Sequence, residues 1–205
     1  MQAARNIGKL IPGNTAVLLC DIQDRFRPLI YNSATIVNTA KLLTTACDKL
    51  DMPCIITEQY PKAFGPTVTD CFENRDADAF YAKHGTPYAK KLFSMMTPEV
   101  TQKLQSFEQR KTVLLFGIEA HVCVQQTALD LLETGYDVHL VVDATSSQTK
   151  YDREIALQRM ASSGVYLTTA QSALFMLLQS AEHLNFKEIS KLVVEHSKLP
   201  NEFNA

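Results

Sequence analysis

Asp21, Lys90 and Cys123 are the side chains of this sequence best placed to do chemistry. Asp21 directly follows residues 16–20, a run apolar enough for a buried strand. A carboxylate there is partly desolvated, which raises its proton affinity and suits it to general-base work. On position alone it reads equally as a cap of the next turn. Asp24 and Arg25 follow and are expected to pair with each other or with a neighbouring element. Cys123 comes shortly after a third apolar run, near the start of a helix. Free N–H groups and the positive dipole end favour a thiolate, the reactive form, and the same groups can hold an oxyanion. The alternative is a buried structural thiol. Lys90 and Lys91 precede Leu92-Phe93-Ser94-Met95. A lysine near a thiolate and a carboxylate stabilises both anions, whereas a lysine pair taken alone reads as a solvated surface feature.

The remaining candidates are weaker. Cys20, Cys47 and Cys54 fall in apolar strand or helix contexts and read as structural, while Cys71 sits in an irregular stretch. His121 precedes Cys123 by two residues and reads as a surface or supporting residue, and His139 as a satisfied core or edge residue of a strand. His84, His183 and His196 have no metal-ligand spacing. A P-loop, a G-x-S-x-G elbow and a G-x-G-x-x-G turn are all missing, so neither a nucleotide cofactor nor a serine-hydrolase triad is indicated.

The elements that must position these residues alternate. Strands are expected at residues 16–20, 54–57, 113–116 (ended by Gly117), 138–142 and 165–167. Helices are expected at 33–50, from Pro98 behind a Thr97 cap to about residue 107, at 122–133 with Gly135 as the stop, at 152–162, and after Thr169. A last helix opens at an Asn185/Glu188 capping box. Residues 60–88, rich in Pro and Gly, read as a long loop, mobile like the two ends and forming the pocket wall. The β-α-β-α rhythm with continuous apolar strands predicts a parallel sheet covered by helices on both faces, with ligands bound beyond the carboxyl ends of the strands.

The chain has 205 residues, 46% apolar and 20% charged, with 20 Lys+Arg against 22 Asp+Glu and a formal charge of -2. That fits one globular domain and gives no broad basic surface for nucleic acid. No apolar run approaches the length of a membrane span. Five cysteines without a C-x-x-C pair suggest free thiols in a reducing, cytoplasmic setting. Arg5 and Lys9, with no acid before Asp21, leave mitochondrial import as the alternative.

Three ordered motifs carry a resemblance: Leu18-Leu19-Cys20-Asp21-Ile22-Gln23-Asp24-Arg25-Phe26, Lys90 with Phe93-Ser94-Met95, and Gly117-Ile118-Glu119-Ala120-His121-Val122-Cys123-Val124. They resemble the isochorismatase-like hydrolases of the cysteine hydrolase superfamily. Thr57-Glu58-Gln59-Tyr60-Pro61 with Gly65-Pro66-Thr67-Val68 is similar to the eukaryotic isochorismatase domain-containing proteins. The likeness runs from about residue 8 to 192, so the domain is placed at 8–197 with tails at 1–7 and 198–205.

The resemblance implies a single-domain, three-layer α/β/α fold, doubly wound around a mostly parallel six-stranded sheet. It also implies an Asp21–Lys90–Cys123 triad, with Lys91 as the fallback lysine, and a cis peptide near Ile118–Glu119. Substrate and oxyanion contacts fall to Ile118, Glu119, Val122, Gln59 and Tyr60. Nicotinamidases of the superfamily carry Asp-x-His after the second strand, where this chain has Thr57-Glu58-Gln59, so no metal and no cofactor are expected. Cys123 points to thiol-dependent hydrolysis of a C–N bond in a small substrate, by a protein forming dimers or larger homo-oligomers. The competing readings are a catalytically silent binding or scaffold protein, a vinyl-ether hydrolase and a nuclease.

Overall fold

The computed structural model describes residues 7–204, so residues 1–6 of the expected tail, Arg5 included, lie outside the described residues. In chain order the regular elements are β1 (Thr15–Cys20), α1 (Ser33–Lys49), β2 (Cys54–Gln59), α2 (Pro61–Phe64), α3 (Ala77–His84), β3 (Tyr88–Lys90), α4 (Pro98–Gln105), β4 (Thr112–Ile118), α5 (Gln125–Glu133), β5 (Asp137–Ser146), α6 (Lys150–Ser162), β6 (Tyr166–Thr168), α7 (Ala170–Leu178) and α8 (Phe186–His196). All five strand pairings are parallel and the order across the sheet is β3-β2-β1-β4-β5-β6. Chain direction across the sheet reverses between β1 and β4. Their carboxyl ends therefore open the crevice in which this kind of sheet binds ligands.

Alternation along each central strand divides the core in two. Val17, Leu19, Leu114, Phe116 and Ile118 face α1, α3, α7 and α8. Ala16, Leu18, Cys20, Val113 and Leu115 face α4, α5 and α6. Buried on both faces, β1 and β4 show no polar alternation, as expected of inner parallel strands. The apolar run of α7 lies mostly within this core: Ala173, Leu174, Leu177 and Leu178 are buried, and only Phe175 and Met176 reach the surface.

Several expectations are corrected. Residues 60–88 are not one long loop. They hold α2, α3, two short 3-10 turns and the start of β3, and they bury Cys71, Phe72 and Phe80 against α1. Gly117 does not end β4 but lies inside it at φ +133, where a Cβ would come 2.0 Å from the Cys20 carbonyl oxygen. Only glycine lets β1 and β4 approach so closely. β5 runs on to Ser146 after a bulge opposite Leu115–Gly117. Arg153 of α6 donates to the carbonyls of Val142 and Thr145 in that stretch, supplying the partners the ladder does not. The Asn185/Glu188 capping box does not form. Asn185 has a near-helical ψ of 8 and spends its Nδ2 on the Lys49 carbonyl at 2.6 Å, while Glu188 pairs with Lys49. Thr97 and Thr169 cap α4 and α7 as read. Asp24 and Arg25 are both exposed and form no ion pair among the described residues, because the turn after Asp21 directs them to solvent.

His139 is also corrected. It is buried and stacked on Tyr166, but its Nε2 has no hydrogen-bond partner among the described residues. Burial pushes its pKa down from 6.5 to about 4, against the pull of Asp137. Above pH 6.5 the ring is neutral folded or unfolded. Between 6.5 and 4 only the unfolded chain takes the proton, so stability falls as pH drops through that window. Unfolding midpoints measured from pH 7 to 4.5 are expected to decline, and His139→Phe to flatten the decline. An unchanged slope in the variant would contradict this account. Burial lowers His196 in the same sense, so part of the slope persists.

Candidate active site

β1 ends at Cys20, and Asp21 turns the chain out of the sheet with φ +51, a left-handed conformation that Asp tolerates better than most residues. Its carboxylate is 1% exposed and fully engaged. Oδ1 accepts from the Thr57 hydroxyl at the end of β2 (2.8 Å). Oδ2 accepts from Lys90 Nζ (2.6 Å) and from the Cys20 thiol (3.5 Å). The backbone N–H of Asp21 donates to the Thr57 carbonyl, which locks the turn to β2.

Lys90 closes β3 and is 4% exposed. Besides Asp21, its ammonium donates to Gln59 Oε1 (2.8 Å) and to the carbonyls of Phe93 (2.9 Å) and Leu92 (3.1 Å). Burial works against its charge, but the negative charge that Cys20, Asp21 and Cys123 can carry outweighs it and lifts the Lys90 pKa. Geometry therefore selects Lys90 over Lys91 as the lysine beside Asp21. Lys91 is exposed, with its ammonium over the Tyr60 ring.

Cys123 is carried by a single π-helical turn, Ala120–Val124, that leads into α5. It is 7% exposed, the most solvent-accessible of the three, and its sulfur is close enough to interact with the Cys20 thiol and the Lys90 charge. Its carbonyl accepts from Thr127 Oγ1 (2.6 Å), which itself accepts from the Met95 N–H (2.8 Å). One hydroxyl thus ties the segment after Lys90 to the helix that carries the sulfur.

The other residues read from the sequence form the surrounding frame. The Ile118–Glu119 peptide is cis, and Ile118 is buried. The Glu119 carboxylate holds Gln148 through its backbone and side-chain N–H groups. The Val122 N–H donates to the Glu119 carbonyl (3.1 Å). His121 Nδ1 meets Ser147 Oγ at 2.9 Å. The Gln59 amide is committed at both ends, to Lys90 and to the Lys91 carbonyl, which places it behind the ammonium. Tyr60 adopts a left-handed conformation and lines an open depression of about 360 Å3 with Pro61, Lys62, Ala89 and Lys90. In the Thr57-Glu58-Gln59 stretch, the two positions where the Asp-x-His motif has its ligands are held by Thr57, which donates to Asp21, and Gln59, which accepts from Lys90, while Glu58 between them accepts from the Thr67 N–H and hydroxyl. A wider depression, about 580 Å3 beside Met52, Pro53 and Cys54, lies at the amino ends of the strands and includes none of Asp21, Lys90 and Cys123.

Thr57 and Gln23 escaped the sequence reading as individual residues, and Cys20 was read only as a structural thiol. Gln23 is buried and clamps residue 59 and Gly65 through both ends of its amide. The adjacency of Cys20 to Asp21 was the only available signal, and it is equally what a strand-end core cysteine looks like.

A family model for the isochorismatase domain matches residues 15–172. The secreted isochorismatase effector Isc1 of Phytophthora sojae is 43% identical over 204 residues, covering 99% of this chain and 95% of the relative. Isochorismatase domain-containing protein 2 of Xenopus laevis is 45% identical over 195 residues, covering 95% and 91%. Among solved structures, the MAR1 ribonuclease of Caenorhabditis elegans matches with a TM-score of 0.83 at 36% identity, covering 95% of this chain and 96% of that one. With a family model over most of its length and relatives above 40% identity along nearly all of it, the chain belongs to the isochorismatase family and has that family's hydrolase fold.

Proposed function

We propose that the protein hydrolyses a C–N bond in a small amide-type substrate, with Cys123 as nucleophile, Asp21 as proton acceptor and Lys90 as the charge that steadies both. The observation that carries this reading is the Lys90 ammonium, held between the buried Asp21 carboxylate and the environment of Cys123, which is 7% exposed. Asp21 takes the thiol proton and the sulfur attacks the carbonyl carbon. The oxyanion settles on the N–H of Cys123 and the turn at Ile118, Glu119 and Val122. Because the Val122 N–H is engaged by Glu119, the Cys123 N–H is assigned the larger share. Collapse of the tetrahedral adduct expels ammonia or an amine, which leaves with a proton from Asp21 and gives a thioester. Asp21 then activates water, the thioester carbon–sulfur bond breaks, and the acid leaves. Gln59 serves by aiming the ammonium. Tyr60, at the edge of the open depression, is assigned to the substrate side.

The test is a panel of small amides assayed for ammonia release, with mass spectrometry of the quenched enzyme. An acyl adduct on Cys123 is expected. Turnover without any adduct on that residue would remove the scheme.

A second reading, ribonuclease, is favoured by the name of the 36% identical C. elegans neighbour. The formal charge of -2 gives it little general pull on a phosphate backbone. It is tested by RNA cleavage and by the salt dependence of RNA affinity. All five cysteines are buried free thiols, which suits a reducing, cytoplasmic compartment. Among the described residues no helix is long and apolar enough to cross a membrane. Self-association into a dimer or larger assembly belongs to the same reading and is checked by light scattering.

A further inference from the structure

The Cys20 thiol is a buried, chemistry-bearing group that the mechanism above does not use. Strand alternation directs it to the same side of the sheet as the turn carrying Cys123, and both belong to one apolar cluster. The two thiols are near enough to interact. Cys20 Sγ also donates to Asp21 Oδ2 at 3.5 Å, the oxygen that Lys90 holds. Gly117, in register with Cys20, brings the β4 backbone hard against that residue and keeps the two strands close there. Burial, the interaction with Cys123 and the charge of Asp21 hold Cys20 as a protonated thiol at rest. It therefore does not compete as nucleophile, yet it has a base beside it.

We propose that Cys20 is a resolving thiol: when a peroxide oxidises Cys123, Cys20 closes a disulfide onto it, turning the site off reversibly and shielding the sulfur from further oxidation. The Cys123 thiolate attacks a peroxide oxygen. The S–O bond forms, the O–O bond breaks, the sulfur gives up two electrons, and the departing hydroxide takes the former Cys123 proton from Asp21 and leaves as one water. The Cys20 thiol passes its proton to Asp21 and its sulfur attacks the sulfenic sulfur. The S–O bond breaks, and hydroxide departs with the proton from Asp21 as a second water. In sum, two thiols and one peroxide give one disulfide and two waters. A small thiol reductant of the glutathione class reverses the bridge by exchange.

Cys47 and Cys54 supply an internal comparison. They are also near enough to interact, but Cys54 opens β2 at its amino end, away from Lys90, and the Cys47 thiol of α1 is spent on the Met52 carbonyl. No bridge is expected there.

This rests on the reading of Cys123 as the reactive sulfur, and the experiment separates the two claims. Reduced full-length protein is treated with hydrogen peroxide, blocked with iodoacetamide and mapped without reduction by mass spectrometry. Linked Cys20 and Cys123 peptides are expected, with dithiothreitol restoring iodoacetamide labelling of Cys123. In Cys20→Ala, with Cys20→Ser as the second variant should Ala fail to fold, Cys123 is expected to gain two or three oxygens. Dithiothreitol should then restore no more than roughly a tenth of the labelling. If wild-type Cys123 takes iodoacetamide but passes to sulfinic acid as fast as in the variants, or if the bridge joins Cys47 and Cys54, the resolving role is overturned while the nucleophile reading stands. If Cys123 reacts with neither reagent, both fall.

Discussion

Cys123→Ala is expected to lower amide hydrolysis by about 10^4-fold or more, because the covalent route through a thioester disappears and only binding and oxyanion contacts remain. The fold should survive. Cys123 is a small, 7% exposed side chain, and removing its sulfur costs about 1 kcal/mol of packing. The Thr127 contact is to its backbone carbonyl, which the substitution keeps. The measurement pairs initial rates on the best amide of the panel with thermal unfolding of the same preparation. A variant that keeps its rate within tenfold would discard the sulfur as nucleophile. The vinyl-ether reading, which needs no thiol, would then move forward.

Lys90→Met is expected to destabilise the protein by about 3–5 kcal/mol, the range found when one partner of a buried ion pair is removed. The substitution preserves most of the chain length but deletes an ammonium that holds Asp21 Oδ2, Gln59 Oε1 and the carbonyls of Leu92 and Phe93. What remains is a carboxylate 1% exposed, with only the Thr57 hydroxyl and the Cys20 thiol for company. At this chain length the loss corresponds to a drop of about 6–20 °C in Tm. Asp21→Asn combined with Lys90→Met should regain most of it, since the orphaned charge goes with its partner. Both variants should be inactive. Urea unfolding of wild type, the two single variants and the double variant closes the cycle. Additive losses, with no recovery in the double variant, would show that the pair contributes nothing beyond its separate members. The stability effect of Lys90 and the catalytic effect of Cys123 are thus read on different scales, although the two side chains share one electrostatic environment.

Much of the architecture was legible because long apolar runs bounded by turn residues state their own strand or helix character. Four of the five expected strands and the two threonine caps needed no tertiary information beyond small changes of end. Failures came where local signals are short or ambiguous. β3 has three residues, too few to display a period of two. Residues 61–84 bury Cys71, Phe72 and Phe80 without a regular apolar spacing. Asn185 and Glu188 have the composition of a cap, but the Asn185 amide is oriented by its Nδ2 donation to the Lys49 carbonyl of α1, Glu188 pairs with Lys49, and Asn185 makes no side-chain cap hydrogen bond. β5 outran its expected end because a bulge, supported by Arg153 from another element, lets the strand resume.

The sequence by itself determined a parallel α/β sheet, the strand ends at which Asp21 and Cys123 stand, and two adjacent lysines as alternatives for a third group. Only the tertiary structure decided that Lys90 rather than Lys91 enters the crevice, that Gln59 and Thr57 serve the charges there, and that Cys20 and Cys123 share one cluster. These are contacts between residues far apart in the chain; Lys90 and Asp21 alone are 69 positions apart. Their pairing follows from strand order and parallel register, which collective packing settles and which leave no local mark on any one segment.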